Sequence, residues 1–153
     1  QVAIGYLQDD GSIDPIRGKR IKTGDLAVMD ADGFVRVTGR TKDVIIRSCI
    51  NISAQEIDEV RLAHAQVTEA AAIGVHDPIH GEEVVCYVSL KPGETPDGDS
   101  ILAYCRTRLP LPKVPKHVVV VSELPKNDRG KVLRDQLRAD WCRRMEAGGK
   151  GAA

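Results

Sequence analysis

Three short polar segments carry side chains that could bind or transform a charged substrate. Thr23-Gly24-Asp25 stands just before a strand-like run, and the Asp25 carboxylate could accept hydrogen bonds from two neighbouring hydroxyl groups. Residues 39–43 place two cations and one carboxylate in a connecting segment. Residues 125–131 form a turn with three cations, and Lys131 near its tip could bind an anion. Each segment taken alone is also typical of an ordinary solvated loop.

The elements that position these segments follow from the hydrophobic pattern. Residues 1–24 show little periodicity, which indicates a loop with one short strand. The apolar runs 26–29 and 34–37 flank Asp30-Ala31-Asp32-Gly33, and Asp-Gly between such runs predicts a tight β-hairpin. Val44-Ile45-Ile46 is β-branched throughout and predicts a further strand directly after the connecting segment.

The second half of the chain alternates strand and helix patterns. Ser53 and Glu56 fit a capping box, in which both side chains accept hydrogen bonds from free amides, and they predict a helix over residues 54–65. Residues 117–121 form a near-continuous apolar run, which predicts an interior strand. The other predicted elements are strands 69–75 and 84–90 and helices 99–109 and 133–145. This order predicts a small α/β or α+β domain after a boundary near residues 39–43, with a different, β-rich unit before it.

Composition excludes several classes of function. The 153 residues are 42% hydrophobic, which is enough to bury a core. Their net charge is zero, so a general attraction for nucleic acid is not expected. No apolar run reaches the length of a membrane span. Cys49, Cys86, Cys105 and Cys142 form no CxxC pair, so we predict no metal site and reduced thiols in a cytoplasmic protein. The chain begins without Met or a leader, and we expect it to be part of a longer protein.

In this order and spacing, the polar segments resemble the C-terminal part of the acyl-adenylate-forming enzymes. That superfamily comprises acyl-CoA synthetases, luciferases and the adenylation domains of peptide synthetases. The resemblance runs from about residue 5 to 141 and is closest to an AMP-forming acyl-CoA synthetase. The matching stretches are residues 23–25, 32–34 leading to 39–46, 51–57, and 124–134.

The resemblance also implies an organisation of the chain. Residues 1–39 would be the β-rich end of a large N-terminal domain, and residues 40–43 would be a hinge. Residues 44–145 would form a small mobile lid domain, with helices over a mainly three-stranded sheet and a β-hairpin. Residues 146–153 are expected to be a flexible tail.

The implied chemistry has two steps at one site. A carboxylic acid attacks the α-phosphate of ATP to give an acyl-adenylate, and the thiol of coenzyme A then displaces AMP. Asp25 would bind the ribose hydroxyls of the nucleotide, with Arg40 assisting. Lys42 and Asp43 would lie in the hinge, and Lys131 would enter the site for adenylation, where its ammonium stabilises developing negative charge.

One departure from the family pattern concerns the second step. The superfamily commonly has one or two glycines where this chain has Ser48-Cys49-Ile50. That region would line the passage for the incoming thiol, so the Cys49 side chain is expected to impede coenzyme A. An alternative interpretation makes Cys49 a small semi-buried hydrophobic residue that points into the core.

The resemblance leaves other parts of the enzyme outside this chain. The phosphate loop, the adenine pocket, the acyl pocket and most of the Mg²⁺ site would lie in the missing N-terminal domain, and we expect this chain alone to be inactive. Two other functions stay open, namely an adenylation domain that loads a carrier-protein thiol and a non-catalytic nucleotide- or partner-binding module.

Some residues are predicted to have structural roles only. Arg134 is assigned, with Arg138, Arg143 and Arg144, to the solvated face of the last helix. Trp141 is predicted to anchor that helix against the sheet.

Overall fold

The computed structural model describes residues 5–16, 18, 20, 22–95 and 98–149. The strands are Gly5–Leu7 (β1), Ile13–Pro15 (β2), Asp25–Met29 (β3), Val35–Arg40 (β4), Val44–Arg47 (β5), Ile50–Ser53 (β6), Val67–Asp77 (β7), Gly81–Leu90 (β8) and His117–Val121 (β9). The helices are Ala54–Leu62 (α1), Gly98–Arg106 (α2) and Arg134–Gly149 (α3), with short 3₁₀ turns at Thr41–Asp43 and Leu111–Lys113.

The first part of the chain forms two antiparallel hairpins, β1–β2 and β3–β4. The second confirms the Asp-Gly prediction, because Gly33 adopts a positive φ of 86° and the Asp30 carboxylate accepts hydrogen bonds from two turn amides. The hairpin β1–β2 was not expected, since only one short strand was predicted there. Its strands have three residues each, which is too short to show an alternating pattern.

The second part is built on one sheet with the strand order β6-β5-β8-β7, and β9 pairs in parallel with β8. The hairpin β5–β6 joins the long strands through a single register pair, Arg47 with Gly81. Three strands therefore carry most of the sheet, and a hairpin extends it, as the resemblance implied. No helix in the described part of the chain is long and apolar enough to cross a membrane.

Helices cover both faces of this sheet. On β8, Val84, Cys86 and Val88 face a cluster that includes Ile57 of α1 and Ile101 of α2. Val85 and Tyr87 point to the other face and pack with a cluster that includes Leu137 of α3. A strand covered on both sides must be apolar at successive positions, which explains the continuous apolar run. Trp141 packs against the second cluster, which confirms its predicted anchoring role.

The structure corrects several predictions about single elements. Strand β9 is not interior, because within the described residues it pairs with β8 alone and is half-buried or exposed. Strand β6 was not predicted, and α1 ends at Leu62. Helix α3 continues to Gly149, through half of the predicted flexible tail; the rest of that tail, residues 150–153, lies outside the described residues.

The predicted capping box of α1 is also wrong. Ser53 stands at the N-cap position, yet its side chain makes no capping hydrogen bond. Glu56 is instead bound by the Lys113 ammonium, at 2.7 and 2.8 Å from its two carboxylate oxygens. The Glu56 carboxylate is engaged in this ion pair, so the sequence motif is present without its usual geometry.

Candidate functional site

Two of the predicted polar segments meet at the open end of the β3–β4 hairpin. Asp25 and Arg40 are opposite each other in the strand register, and Arg40 Nε lies 3.0 Å from Asp25 Oδ1. The amide and hydroxyl of Thr41 both donate to the Gly24 carbonyl, at 2.8 and 3.1 Å. A cavity of about 420 Å³ at this point is lined by Thr23, Gly24, Arg40, Thr41 and Lys42.

The loop that carries Lys131 is organised by Asn127. The Asn127 carboxamide oxygen accepts hydrogen bonds from the amides of Arg129 and Lys131, at 3.0 and 2.9 Å. The backbone amide of Asn127 donates to the backbone carbonyl of Lys131, and Gly130 adopts a φ of 75° in the turn between them. These contacts fix the backbone while Lys131 stays exposed, so its ammonium can reach a ligand.

Lys131 lies beside residues 40–43, the predicted hinge, in the folded chain. With Arg40 and Asp43 it lines a cavity of about 260 Å³, and with Lys42 and Asp43 it lines a second cavity of about 200 Å³. The structure thus brings four predicted site residues together at adjoining cavities. Asp25 lines neither of these two cavities and connects to them through its ion pair with Arg40.

Arg134 fastens the base of the Lys131 loop to the rest of the domain. Its guanidinium donates to the Asp58 carboxylate and to the Ala72 carbonyl, and lies 3.7 Å from the Asp43 carboxylate. The assignment of Arg134 to a solvated helix face is therefore wrong, since only 16% of its side chain is exposed. Arg143 and Arg144 do lie on an exposed face, where both pair with Asp140.

Asp58 is a buried carboxylate at the centre of this network. Its second oxygen accepts a hydrogen bond from the Ala72 amide at 2.6 Å. Burial raises the pKa of Asp58 from 3.8 to about 6, and the nearby Arg134 guanidinium only partly opposes this effect. The carboxyl is thus a group whose charge changes in mildly acidic solution.

Ser48 and Cys49 form the tight turn between β5 and β6. Both have positive φ, 47° and 66°, as a two-residue type I′ hairpin turn requires. Such angles are easy for glycine and strained for other residues, which gives a physical reason why glycine suits this position. The Ser48 hydroxyl lies 2.7 Å from His80 Nδ1, and the Ser48 amide donates to the His80 carbonyl.

The Cys49 side chain is exposed, so the interpretation that it is semi-buried and points into the core is wrong. Ser48, Cys49 and Ile50 are all exposed. The turn does not line the cavities beside Lys131, so the structure separates the predicted thiol passage from the predicted adenylation residues.

Sequence reasoning missed the roles of Asn127 and Arg134, and it missed the hydrogen bond that the Ser53 hydroxyl donates to the Thr38 carbonyl. Asn127 had a recognisable signal, because Asn shortly before Arg-Gly is typical of an Asx turn. Arg134 and Ser53 had none, since their partners are distant in sequence.

Comparison with known proteins gives a consistent result. The family described as "AMP-binding enzyme C-terminal domain" matches residues 56–131. The long-chain-fatty-acid–CoA ligase of Salmonella typhimurium is 42% identical over 139 residues, which cover 90% of this chain and 25% of that protein. The sulfoacetate–CoA ligase of Cupriavidus necator is 43% identical over 117 residues, 76% of this chain and 23% of that protein. The chain thus spans about a quarter of the length of the curated relatives it matches.

Solved structures resemble the chain over a similar range. ATP-bound MatB from Rhodopseudomonas palustris matches with a TM-score of 0.73 and 34% identity, covering 88% of this chain and 25% of that one. The o-succinylbenzoate CoA synthetase of Bacillus subtilis, solved with its acyl-adenylate intermediate, matches with a TM-score of 0.73 and 36% identity. This match covers 77% of this chain and 24% of that one.

Proposed function

Because this chain belongs to the family of AMP-binding enzyme C-terminal domains, we propose that it is the C-terminal portion of an ATP-dependent, AMP-forming acid–thiol ligase. In the first step, a carboxylate oxygen attacks the α-phosphorus of ATP and pyrophosphate leaves. In the second step, the thiol of coenzyme A attacks the acyl carbon and AMP leaves with the bonding electrons. The observation that carries this proposal is the cavity that Arg40 and Lys131 line together, although they are far apart in sequence.

The similar proteins favour coenzyme A as the acyl acceptor. The ligases from Salmonella typhimurium and Cupriavidus necator are both named for the transfer of an acid to CoA. Their acids differ greatly in size and polarity, so the proposed substrate is the class of carboxylic acids. A carrier-protein thiol is the alternative acceptor, and no feature of the described residues favours it.

In the adenylation step, this chain would supply three side chains. Arg40 holds the Asp25 carboxylate in place, and Asp25 would accept hydrogen bonds from the ribose hydroxyls of the nucleotide. Lys131 would place its ammonium against the oxygens that gain charge as the carboxylate attacks the phosphate. A cation positioned before the reaction stabilises that charge without having to reorganise solvent.

In the thioester step, residues 40–43 would act as a hinge. The 3₁₀ turn Thr41–Asp43 connects the β3–β4 hairpin to β5, and its residue Lys42 is exposed, so its backbone can rotate without disturbing a core. Rotation there would remove Lys131 and bring the turn at Ser48 and Cys49 towards the site. The separation of that turn from the cavities beside Lys131 supports two alternating arrangements.

The remaining parts of the site would come from a large N-terminal domain. The β3–β4 hairpin exposes apolar side chains, among them Val28, Phe34 and Val35, which suits a surface covered by that domain. Mg²⁺ on the ATP phosphates would also be held mainly by that domain, as the resemblance implies. The four unpaired cysteines fit a protein of the reducing cytoplasm.

The test is the substitution Lys131→Ala in the full-length ligase that carries this chain. Loss of a cation aimed at a developing anion should slow acyl-adenylate formation by about a hundredfold to a thousandfold. Thioester formation from preformed acyl-adenylate should change little. Single-turnover measurements give the rate of acyl-adenylate formation and the rate of thioester formation. The control is Arg129→Ala, which removes another exposed cation of the same loop.

Equal loss in the two half-reactions would show that Lys131 has no step-specific role. A full-length protein with no acyl-adenylate formation at all, in the parent as well as the variant, would favour the non-catalytic module.

A further inference from the structure

The two parts of the chain touch directly on either side of the segment 40–43. The Ser53 hydroxyl, at the end of β6, donates a hydrogen bond to the carbonyl of Thr38 in β4, with an Oγ–O distance of 2.7 Å. Thr38 precedes the proposed hinge and Ser53 follows it. This hydrogen bond therefore links the two bodies that the hinge would move.

On the β4 side of the contact, Thr38 lies in a β-bulge. The register of β3–β4 pairs Leu26 with Gly39 and Ala27 with Val37. Thr38 is therefore the extra residue, without an opposite partner in the ladder. A bulge bends the strand and leaves its extra residue free for other interactions, and here the Thr38 carbonyl receives the Ser53 hydroxyl.

The Ser53 side of the contact comes at the expense of helix capping. Ser53 occupies the N-cap position of α1 with an extended backbone, φ −73° and ψ 120°, from which a serine hydroxyl ordinarily caps its own helix. It makes no such hydrogen bond and reaches across the boundary instead. The Ser53 hydroxyl therefore stabilises the contact with Thr38 between the two parts and not the N-terminus of α1.

Gly39 allows the approach to be this close. A β-carbon added at Gly39 would lie 2.8 Å from the Ser53 hydroxyl oxygen, which is too near for any real contact of that kind. Gly39 is itself buried, so the two segments are packed together at this point.

We infer that Ser53 is a positioning residue, which holds the small domain in the arrangement where Lys131 and Arg40 line one cavity. This inference rests on the proposed function, since it takes residues 40–43 as the hinge. A rotation about that segment moves Ser53 away from Thr38, so the hydrogen bond exists in the adenylation arrangement and must break before the thiol step.

The test compares Ser53→Ala, Ser53→Thr and the control Ser122→Ala in the full-length ligase. Ser122 is an exposed serine of the small domain, whereas Ser53 is half-buried. Loss of one neutral hydrogen bond should slow single-turnover acyl-adenylate formation roughly threefold to tenfold in Ser53→Ala. Thioester formation from preformed acyl-adenylate should be unchanged or faster, and Ser53→Thr, which keeps the hydroxyl, should restore adenylation. Since Ser53 caps no helix, the Tm of Ser53→Ala should match that of Ser122→Ala.

Two results overturn the inference while the proposed function stands. One is an adenylation rate in Ser53→Ala equal to that of the control, and the other is an equal fall in both half-reactions. Lys131→Ala is measured in the same series. If that variant also leaves adenylation intact, the proposed function itself fails.

Discussion

The two parts of this chain use similar apolar residues in opposite ways. In the hairpin β3–β4, Val28, Phe34 and Val35 are 56%, 74% and 64% exposed. In β8, by contrast, the residues from Val84 to Val88 are fully buried between helices. A hairpin with exposed apolar faces has no core of its own, whereas the sheet of residues 44–149 is covered on both sides. The first part thus has an apolar surface that the proposed N-terminal domain would cover, and the second has a core of its own, as a unit that moves about the proposed hinge would need.

The contrast predicts a pH-dependent stability at Asp58, because only a part with its own core can bury a carboxyl. Its raised pKa means that the neutral form is favoured by folding. The stability it contributes is full below pH 4 and is lost as the pH rises towards about 6. We expect the free energy of unfolding of the parent chain, relative to Asp58→Asn, to fall by about 2 kcal/mol between pH 4 and pH 6.

Denaturant unfolding of both proteins at several pH values measures this difference. Burial also lowers the pKa of His117, but that contribution is common to both proteins and cancels. A parent-to-variant difference that is constant with pH would show that Asp58 is not held in a buried environment, and the contrast between the two parts would weaken.

A smaller effect is expected at the turn of the β5–β6 hairpin, which the hinge would carry into the site. Cys49→Gly removes a side chain from the proposed thiol passage and relieves a positive φ of 66°. We expect thioester formation to become several-fold faster with adenylation unchanged. Relief of the left-handed backbone should stabilise the domain by about 1 kcal/mol.

Cys49→Ala is the matched control, because it removes the thiol but keeps the β-carbon and the strain. Single-turnover transfer from acyl-adenylate to coenzyme A, measured in all three proteins, separates the two contributions. If the glycine variant transfers no faster than the parent, Cys49 does not obstruct the passage.

Local patterns predicted much of the fold. The hairpin β3–β4 was predictable because Asp-Gly chemistry acts within four residues, and β8 because burial on both faces makes a strand continuously apolar. Strand β9 is equally apolar but lies at an edge, since an apolar run reports burial and not the number of neighbouring strands.

The candidate site was predictable only as a set of segments. Resemblance predicted site roles for Asp25, Arg40 and Lys131, and the structure adds that Arg40 and Lys131 line one cavity. The partners of Ser53 and Arg134 could not be predicted, because their hydrogen bonds depend on which groups the fold brings near these side chains. A capping motif names the residues that can cap, but tertiary partners decide whether they do.

The proposed rotation of the two parts about residues 40–43 can be tested with Lys42→Pro in the full-length ligase. Proline fixes φ near −65°, which is the value that a 3₁₀ turn uses, so the substitution should lock the arrangement seen in this structure. Lys42→Ala is the control, because it removes the side chain and leaves the backbone free.

Both half-reactions are measured in single turnovers. We expect Lys42→Pro to form acyl-adenylate at a rate close to that of Lys42→Ala, while its transfer to coenzyme A falls by orders of magnitude. Transfer by Lys42→Pro as fast as that by Lys42→Ala would mean that the thioester step needs no rotation at this segment.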